Sequence, residues 1–297
     1  MNSVSEIPAL FQSGRPTVSV EFYPPKTDEG ARQMLHTAET LKPYGIDFAS
    51  ITYGAGGSTR ERTIEYGSRL SRLGYRVMPH LTCVGHSRAE LRAILQRFRE
   101  AGFRAIMTLR GDPPKGETAF TPHPDGLAHA SELAAFIRAE TGGFFALGVA
   151  GYPEKHPESR DAESDLHWLA HKVKQGADFV TTQLFFDNAH YFNFVERCRG
   201  AGVNVPVVPG IMPPLSLAQA EKFCAFCGSQ LPEELAVRLA ACGGDEAASQ
   251  AAGVDWAFEQ VRGLLKGGSP GFHLYILNRS ESALALLERL RREALIR

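Results

Sequence analysis

The chain is poor in cysteine. Five thiols are scattered through 297 residues, too few for a disulfide scaffold, and the odd count leaves at least one unpaired. A reducing, cytoplasmic setting is the expectation. Nor does either charge predominate: 32 Lys and Arg stand against 33 Asp and Glu, a net charge of −1, so no basic footprint points to DNA or RNA. A small-molecule site is the better default. Nowhere do about 18 uncharged apolar residues run together, and the stretch from Met1 to Pro8 has no basic segment leading into an apolar one. Neither a membrane span nor a leader is expected. Low-complexity tracts and fixed-period repeats are lacking as well. What is present is ordinary globular composition, 43% hydrophobic and 22% charged, enough for a sizeable core.

That length suits either two small domains or one large barrel. The order of elements favours the barrel. Apolar, β-branched runs alternate with longer stretches of helical periodicity, the sequence form of repeated βα units around a parallel sheet. Strands are expected over Thr17–Tyr23, Asp47–Tyr53, Tyr75–Cys83, Phe103–Leu109, Phe144–Ala150, Phe179–Phe185, Val203–Ile211 and Phe272–Leu277. Helices are expected from about Asp28 to Leu41, after Ser58, and from Ser280 to Arg292, with Ser87 and Ser131 near the starts of two others. Eight units match a single α/β domain over residues 1–297, a (β/α)8 or TIM barrel. The segment from about Leu231 to Lys266 breaks the alternation and reads as extra helices between strands seven and eight. An open dinucleotide-binding sheet would show G-x-G-x-x-G after the first strand, where this chain has Glu21-Phe22-Tyr23-Pro24-Pro25.

Most of these strands run apolar and then close on residues a packed core would not choose: Glu21, Thr52-Tyr53-Gly54, His80 with Thr82, Arg110-Gly111-Asp112, the Gly151–Pro157 stretch, Thr182-Gln183, and Asn278-Arg279. In a barrel these ends share one face, so residues far apart in sequence converge. Each has two readings. Glu21 either pairs with a barrel arginine or, buried without a partner, holds a proton near neutral pH and serves as an acid. Arg110-Gly111-Asp112 is either an ion-paired turn or a bare backbone, with a charge on each side, for a flat ligand. His80 is a satisfied core histidine or a ligand contact, and Gln183 caps a strand or orients a substrate amide.

Other features carry less. Asp165, Trp168 and Lys172 share one face of a helix opposite Leu166, Leu169 and Val173; this is a solvated face, or a tryptophan flanking a nucleotide. Cys224 and Cys227 have half of a zinc spacing without the other half and read as buried helical thiols, so no metal is expected. The Gly54–Ser58 stretch lacks the G-K-[ST] of a P-loop. His123 and His129 fall in a Pro-rich loop.

Read in order, several strings resemble one family. They are Val20-Glu21-Phe22-Tyr23-Pro24-Pro25-Lys26, Thr52-Tyr53-Gly54-Ala55, Pro79-His80-Leu81-Thr82-Cys83, Leu109-Arg110-Gly111-Asp112, the run from Gly151 to Glu158, the run from Thr182 to Asp187, the run from Val208 to Pro213, and Leu277-Asn278-Arg279. From about Val18 to Arg279 they resemble the methylenetetrahydrofolate reductases. That resemblance implies a TIM barrel with non-covalent FAD, in which NADH or NADPH reduces the flavin and 5,10-methylenetetrahydrofolate is then converted to 5-methyltetrahydrofolate. Glu21 matches the family's general acid, and Asp112 the carboxylate near flavin and pterin. Thr52, Tyr53, Ala55, His80, Arg110, Gly111, Asp112, Tyr152, His156, Asp165 and Lys172 match FAD positions, and His129, Ala130 and Ser131 lie where the family's chain passes the flavin. Asp112, Gln183, Gln219, Phe223 and Arg279 match substrate positions. The chain departs from bacterial members at Trp168 and His171, where Asn and Arg are common. The resemblance further implies a homo-oligomer and, without the long regulatory domain of the animal enzymes, no control by S-adenosylmethionine. The competing reading is a flavin-free, pterin-binding barrel that transfers the methyl group of methyltetrahydrofolate.

Overall fold

The computed structural model describes residues 6–53, 57–112 and 120–297. Eight parallel strands close into a barrel in sequence order: β1 (Thr17–Phe22), β2 (Phe48–Ile51), β3 (Val77–Thr82), β4 (Ala105–Leu109), β5 (Ala146–Gly151), β6 (Phe179–Leu184), β7 (Val207–Ile211) and β8 (Gly271–Tyr275), which returns to β1. Helix α1 (Ile7–Leu10) precedes them. Around the barrel run α2 (Asp28–Leu41), α3 (Gly57–Arg72), α4 (Arg88–Glu100), α5 (Ala130–Thr141), α6 (Ala162–Lys174), α7 (Asn188–Gly200), α8 (Leu217–Cys227) and α11 (Glu281–Arg292). The expected extra helices between β7 and β8 are α9 (Glu233–Ala240) and α10 (Glu246–Lys266).

Alternation along the strands divides the interior in two. Val18, Val20, Phe22, Ala49, Ile51, Leu81, Ile106 and Leu274 face the helices and pack with Met34, Leu70, Phe98 and Leu286. On the opposite parity, Phe48, Met78, Ala105, Met107, Ala146, Phe179 and Val208 fill the barrel itself. The floor of that inner core is closed by α1, where Ile7 is buried and the Phe11 ring lies 5.1 Å from Phe179 and 6.4 Å from Phe48. A helix of four residues is too short to show a period, and the sequence reading did not contain it.

Helix starts follow capping chemistry. Ser87 accepts from Glu90 N while the Glu90 carboxylate accepts from Ser87 N, a reciprocal box that opens α4. Strand ends were expected too long in places. Asp47 stands before β2 because its carboxylate is engaged elsewhere, accepting from Val18 N at 2.9 Å and from Arg15. β8 stops at Tyr275 because Leu277 and Asn278 turn into the left-handed region, with φ of +50° and +55°. Asn278 is a residue that tolerates this conformation, and its amide accepts from Tyr23 N at 3.0 Å and donates to Tyr23 O at 2.8 Å, joining the ends of β1 and β8.

Candidate active site

Glu21 points into the barrel near the C-terminal end of β1, and it does not meet an arginine. It meets two imidazoles: Nε2 of His80 on β3 lies 3.3 Å from its Oε2, and Nε2 of His273 on β8 lies 3.9 Å from the same atom. The Ser50 hydroxyl of β2 donates to that oxygen at 3.5 Å. Burial alone pushes this carboxyl up, but the imidazoles of His273 and His80 outweigh it and bring it down to about 2. The sequence reading of a partnerless acid with a raised pKa is therefore corrected. His80 is buried, with its Nε2 out of line for a hydrogen bond, so it is not a satisfied core histidine.

On the side of β3 to β5 the ends of the strands present a bare backbone between charges. Gly111 has φ +92°, and an added Cβ would lie 2.5 Å from Val84 and 3.0 Å from Thr82. The neighbouring Thr82 hydroxyl is buried and has no partner among the described residues. Arg110 forms a two-pronged pair with Glu158 at 2.5 and 2.8 Å, so of the two readings the ion-paired turn with Asp112 gives way to a pair reaching across to the β5–α6 loop. Asp112 is exposed, and Thr52 and Tyr53 are half-buried, the latter with its hydroxyl 3.0 Å from His86 Nε2. Ala55 lies outside the described residues.

The β5–α6 loop is braced from within. The Asp165 carboxylate accepts from His156 N at 3.2 Å and Ser159 Oγ at 3.0 Å, and the Tyr152 and His156 rings meet edge to face at 4.6 Å. Lys172 donates to Ala150 O at 2.5 Å, and burial lowers its pKa to about 8, Asp165 acting the other way. Trp168 is 53% exposed and stacks on His129, the residue preceding α5, at 6.3 Å. Ala130 opens that helix, and Ser131 is buried in its first turn.

Across the mouth, the β6–β7 ladder slips between Thr181 and Leu184, an irregularity that re-aims side chains. Tyr275 OH donates to the freed Thr182 O at 2.7 Å, an approach possible because Gly210 has no Cβ: one there would sit 2.6 Å from the Tyr275 ring. Gln183 Oε1 accepts from Leu184 N at 2.8 Å, and Gln219 Oε1 accepts from Leu215 N at 2.7 Å. In both amides the oxygen is thereby taken by a backbone N–H. Phe223 is half-buried on α8 and, like Tyr275, packs against a satellite cluster whose buried members include Cys224 and Cys227. Exposed Arg279 lines a cavity of about 460 Å³ with Met212, Tyr275, Gln33 and Gln250.

The sequence reading missed Ser19, Ser50, His273 and Tyr275. A signal existed: all four occupy the inward parity of otherwise apolar strands, where a polar residue is out of place. The described residues contain no cluster of His, Cys, Asp and Glu arranged to hold a metal ion, and no helix among them is long and apolar enough to cross a membrane.

In such barrels the chemistry is carried at this end of the strands. The closed fold and the charged, inward-facing groups at its mouth define a (β/α)8 barrel with a candidate active site. Over residues 6–291 the chain matches the family model described as methylenetetrahydrofolate reductase, and it belongs to that family. It is 37% identical to "Methylenetetrahydrofolate reductase (NADH) 1" of Arabidopsis thaliana over 97% of this chain and 50% of that protein. It is 35% identical to "5,10-methylenetetrahydrofolate reductase" of Escherichia coli over 92% of this chain and 90% of that one. The chain thus spans about half the length of the plant relatives. A solved protein from Clostridium thermocellum, described as binding two copies of 5-methyl-5,6,7,8-tetrahydrofolic acid, has the same fold: TM-score 0.64 at 18% identity, over 96% of this chain and 98% of that one.

Proposed function

We propose that residues 1–297 act as a single catalytic barrel that reduces 5,10-methylenetetrahydrofolate to 5-methyltetrahydrofolate with FAD and a nicotinamide nucleotide. One observation carries the reading: Glu21, at the mouth of a barrel of this family, is faced by two imidazoles within 4 Å. The site's unmet polar groups are compatible with a flavin. The buried, partnerless Thr82 hydroxyl and the bare Gly111 lie together on one side, with Arg110 beside them and Lys172 on α6. Thr52, Tyr53, Asp112, Tyr152, His156 and Asp165 complete that half of the site, and His129, Ala130 and Ser131 border it. Bound there, FAD would supply hydride-carrier chemistry between a nicotinamide nucleotide and the folate.

The chain's own residues manage the proton and the fit. The methylene bridge must open to an iminium before its carbon can accept hydride, and Glu21 delivers the proton that opens it. Asp112 places a negative charge where that cation develops. Gln183, its Oε1 held by Leu184 N, offers its amide N–H to the substrate in either half of the cycle, and Phe223 supplies an aromatic face. Arg279 and the Gln219 amide hold the anionic glutamate end. The assembly we propose is a cytoplasmic homo-oligomer. Adding FAD to the purified protein and recording the flavin spectrum tests the reading. A shifted, resolved flavin band is expected; a protein that stays colourless and yet binds methyltetrahydrofolate would establish the flavin-free methyltransferase instead.

A further inference from the structure

Beneath Glu21 the barrel holds a histidine that the reaction as derived does not use. His273 is 1% exposed, sealed between the Phe48 ring, stacked at 6.3 Å, and the Tyr275 ring, edge-on at 5.3 Å. Its two nitrogens are both engaged. Nδ1 lies 2.8 Å from Ser19 Oγ. Nε2 lies 3.4 Å from Ser50 Oγ, and Ser50 Oγ lies 3.5 Å from Glu21 Oε2. The hydroxyl therefore stands between the imidazole and the carboxylate, while the direct gap of 3.9 Å is too long for a hydrogen bond. A histidine kept only for packing would not need a polar neighbour at each nitrogen, since an aromatic carbon ring fills the same volume without them.

We propose that His273, held by Ser19 and linked through Ser50, is the positioning residue that stores the proton Glu21 delivers to the folate. This rests on the reading of Glu21 as the acid. The transfer balances as two hops: His273 Nε2–H gives its proton to Ser50 Oγ as the Ser50 hydroxyl proton passes to Glu21 Oε2. The imidazolium becomes imidazole, the carboxylate becomes carboxylic acid, and the serine is regenerated. After Glu21 has given its proton to the substrate, the same path run in reverse recharges the imidazole from solvent protons reaching Glu21 at the mouth. The store explains how a carboxyl held ionised by its neighbours can still act as an acid: the proton is kept one residue deeper, where solvent does not reach. Among the described residues, the titratable groups facing His273 are Glu21 from β1, His80 from β3 across the Glu21 carboxylate, and Tyr275 from β8. From β7 only Gly210 is paired with it.

The test is anaerobic stopped-flow of the FAD-loaded protein, each half-reaction followed against pH, in wild type, His273→Gln and Ser50→Ala. In His273→Gln the folate half-reaction should fall by about 10²-fold, the scale of acid catalysis, and its alkaline limb should change shape, with flavin reduction by nicotinamide nucleotide little affected. Ser50→Ala, a smaller change that leaves the imidazole in place, should reproduce the slowed folate step and guards against misfolding of the His273 variant. Wild-type pH profiles in both variants, or equal losses in both half-reactions, would overturn the proposal while leaving the reductase reading intact. A wild type that binds no FAD would overturn both.

Discussion

Two residues show how one side chain can settle an outcome. Glu21 is governed by what faces it: burial raises its pKa, and the two imidazoles reverse that and bring it to about 2. An arginine partner would have locked the carboxylate as a permanent anion; imidazoles, whose ordinary pKa is near neutrality, can exchange protons with it. Asn278 works through its backbone conformation and two hydrogen bonds. It adopts φ +55°, and its buried amide spans from the end of β8 to Tyr23 beyond β1. Asn278→Ala removes both bonds and places an alanine in the left-handed region, so a loss of about 2 kcal/mol in urea unfolding is expected. Because Asn278 abuts Arg279, weaker folate binding should accompany the loss, seen as a raised KM.

At the scale of elements, the molecule rewards local chemistry and hides non-local chemistry. Ser87→Ala, which breaks the reciprocal cap of α4, should cost about 1 kcal/mol in the same denaturation experiment and leave the kinetics unchanged, since α4 carries none of the site. The capped helices and eight strands were legible because period, caps and turn residues are written within a few positions of one another. The ends of β2 and β8 were not, because Asp47 and Asn278 take partners from other strands. The same difference divides the site. Glu21, His80, Arg110 and Gln183 were visible as polar residues at strand ends, whereas the imidazole–serine set around Glu21 depends on closure of the barrel, which brings His273 beside Ser19 across 254 positions. The expectation that Glu21 has an arginine or no partner failed for that reason. The β6–β7 slip, which orients Gln183, was equally illegible; it depends on Gly210 and on the Tyr275 hydroxyl of a third strand.

The whole molecule is a shell of helices around a barrel whose interior changes character along its axis. Its inner core is apolar at the α1 end and becomes hydroxylic, then charged, toward the mouth, so the cost of burying Glu21 and two histidines is borne at one level of the barrel. The lowered Glu21 pKa makes that cost depend on pH, with a definite sign. The folded carboxyl titrates below its ordinary value of about 4.5, so its ionised form stabilises the fold above that pH, and the contribution is lost as pH falls from there toward about 2. Thermal unfolding between pH 3 and 6 should therefore show a shallower acid decline in Glu21→Gln than in wild type. The near-zero net charge of the chain, first a reason to set nucleic acids aside, goes with a mouth that carries both signs, Glu21 and Asp112 beside Arg110, Lys172 and Arg279.

The central claim is that Glu21 serves the folate step and not the flavin. Anaerobic stopped-flow at the flavin absorbance, comparing wild type with Glu21→Gln, tests it most directly. The account predicts that both proteins bind FAD and are reduced by NADH or NADPH at similar rates, while reoxidation by 5,10-methylenetetrahydrofolate falls by at least about 10²-fold in the variant. Equal rates of reoxidation in the two proteins, or equal losses in both half-reactions, would contradict it.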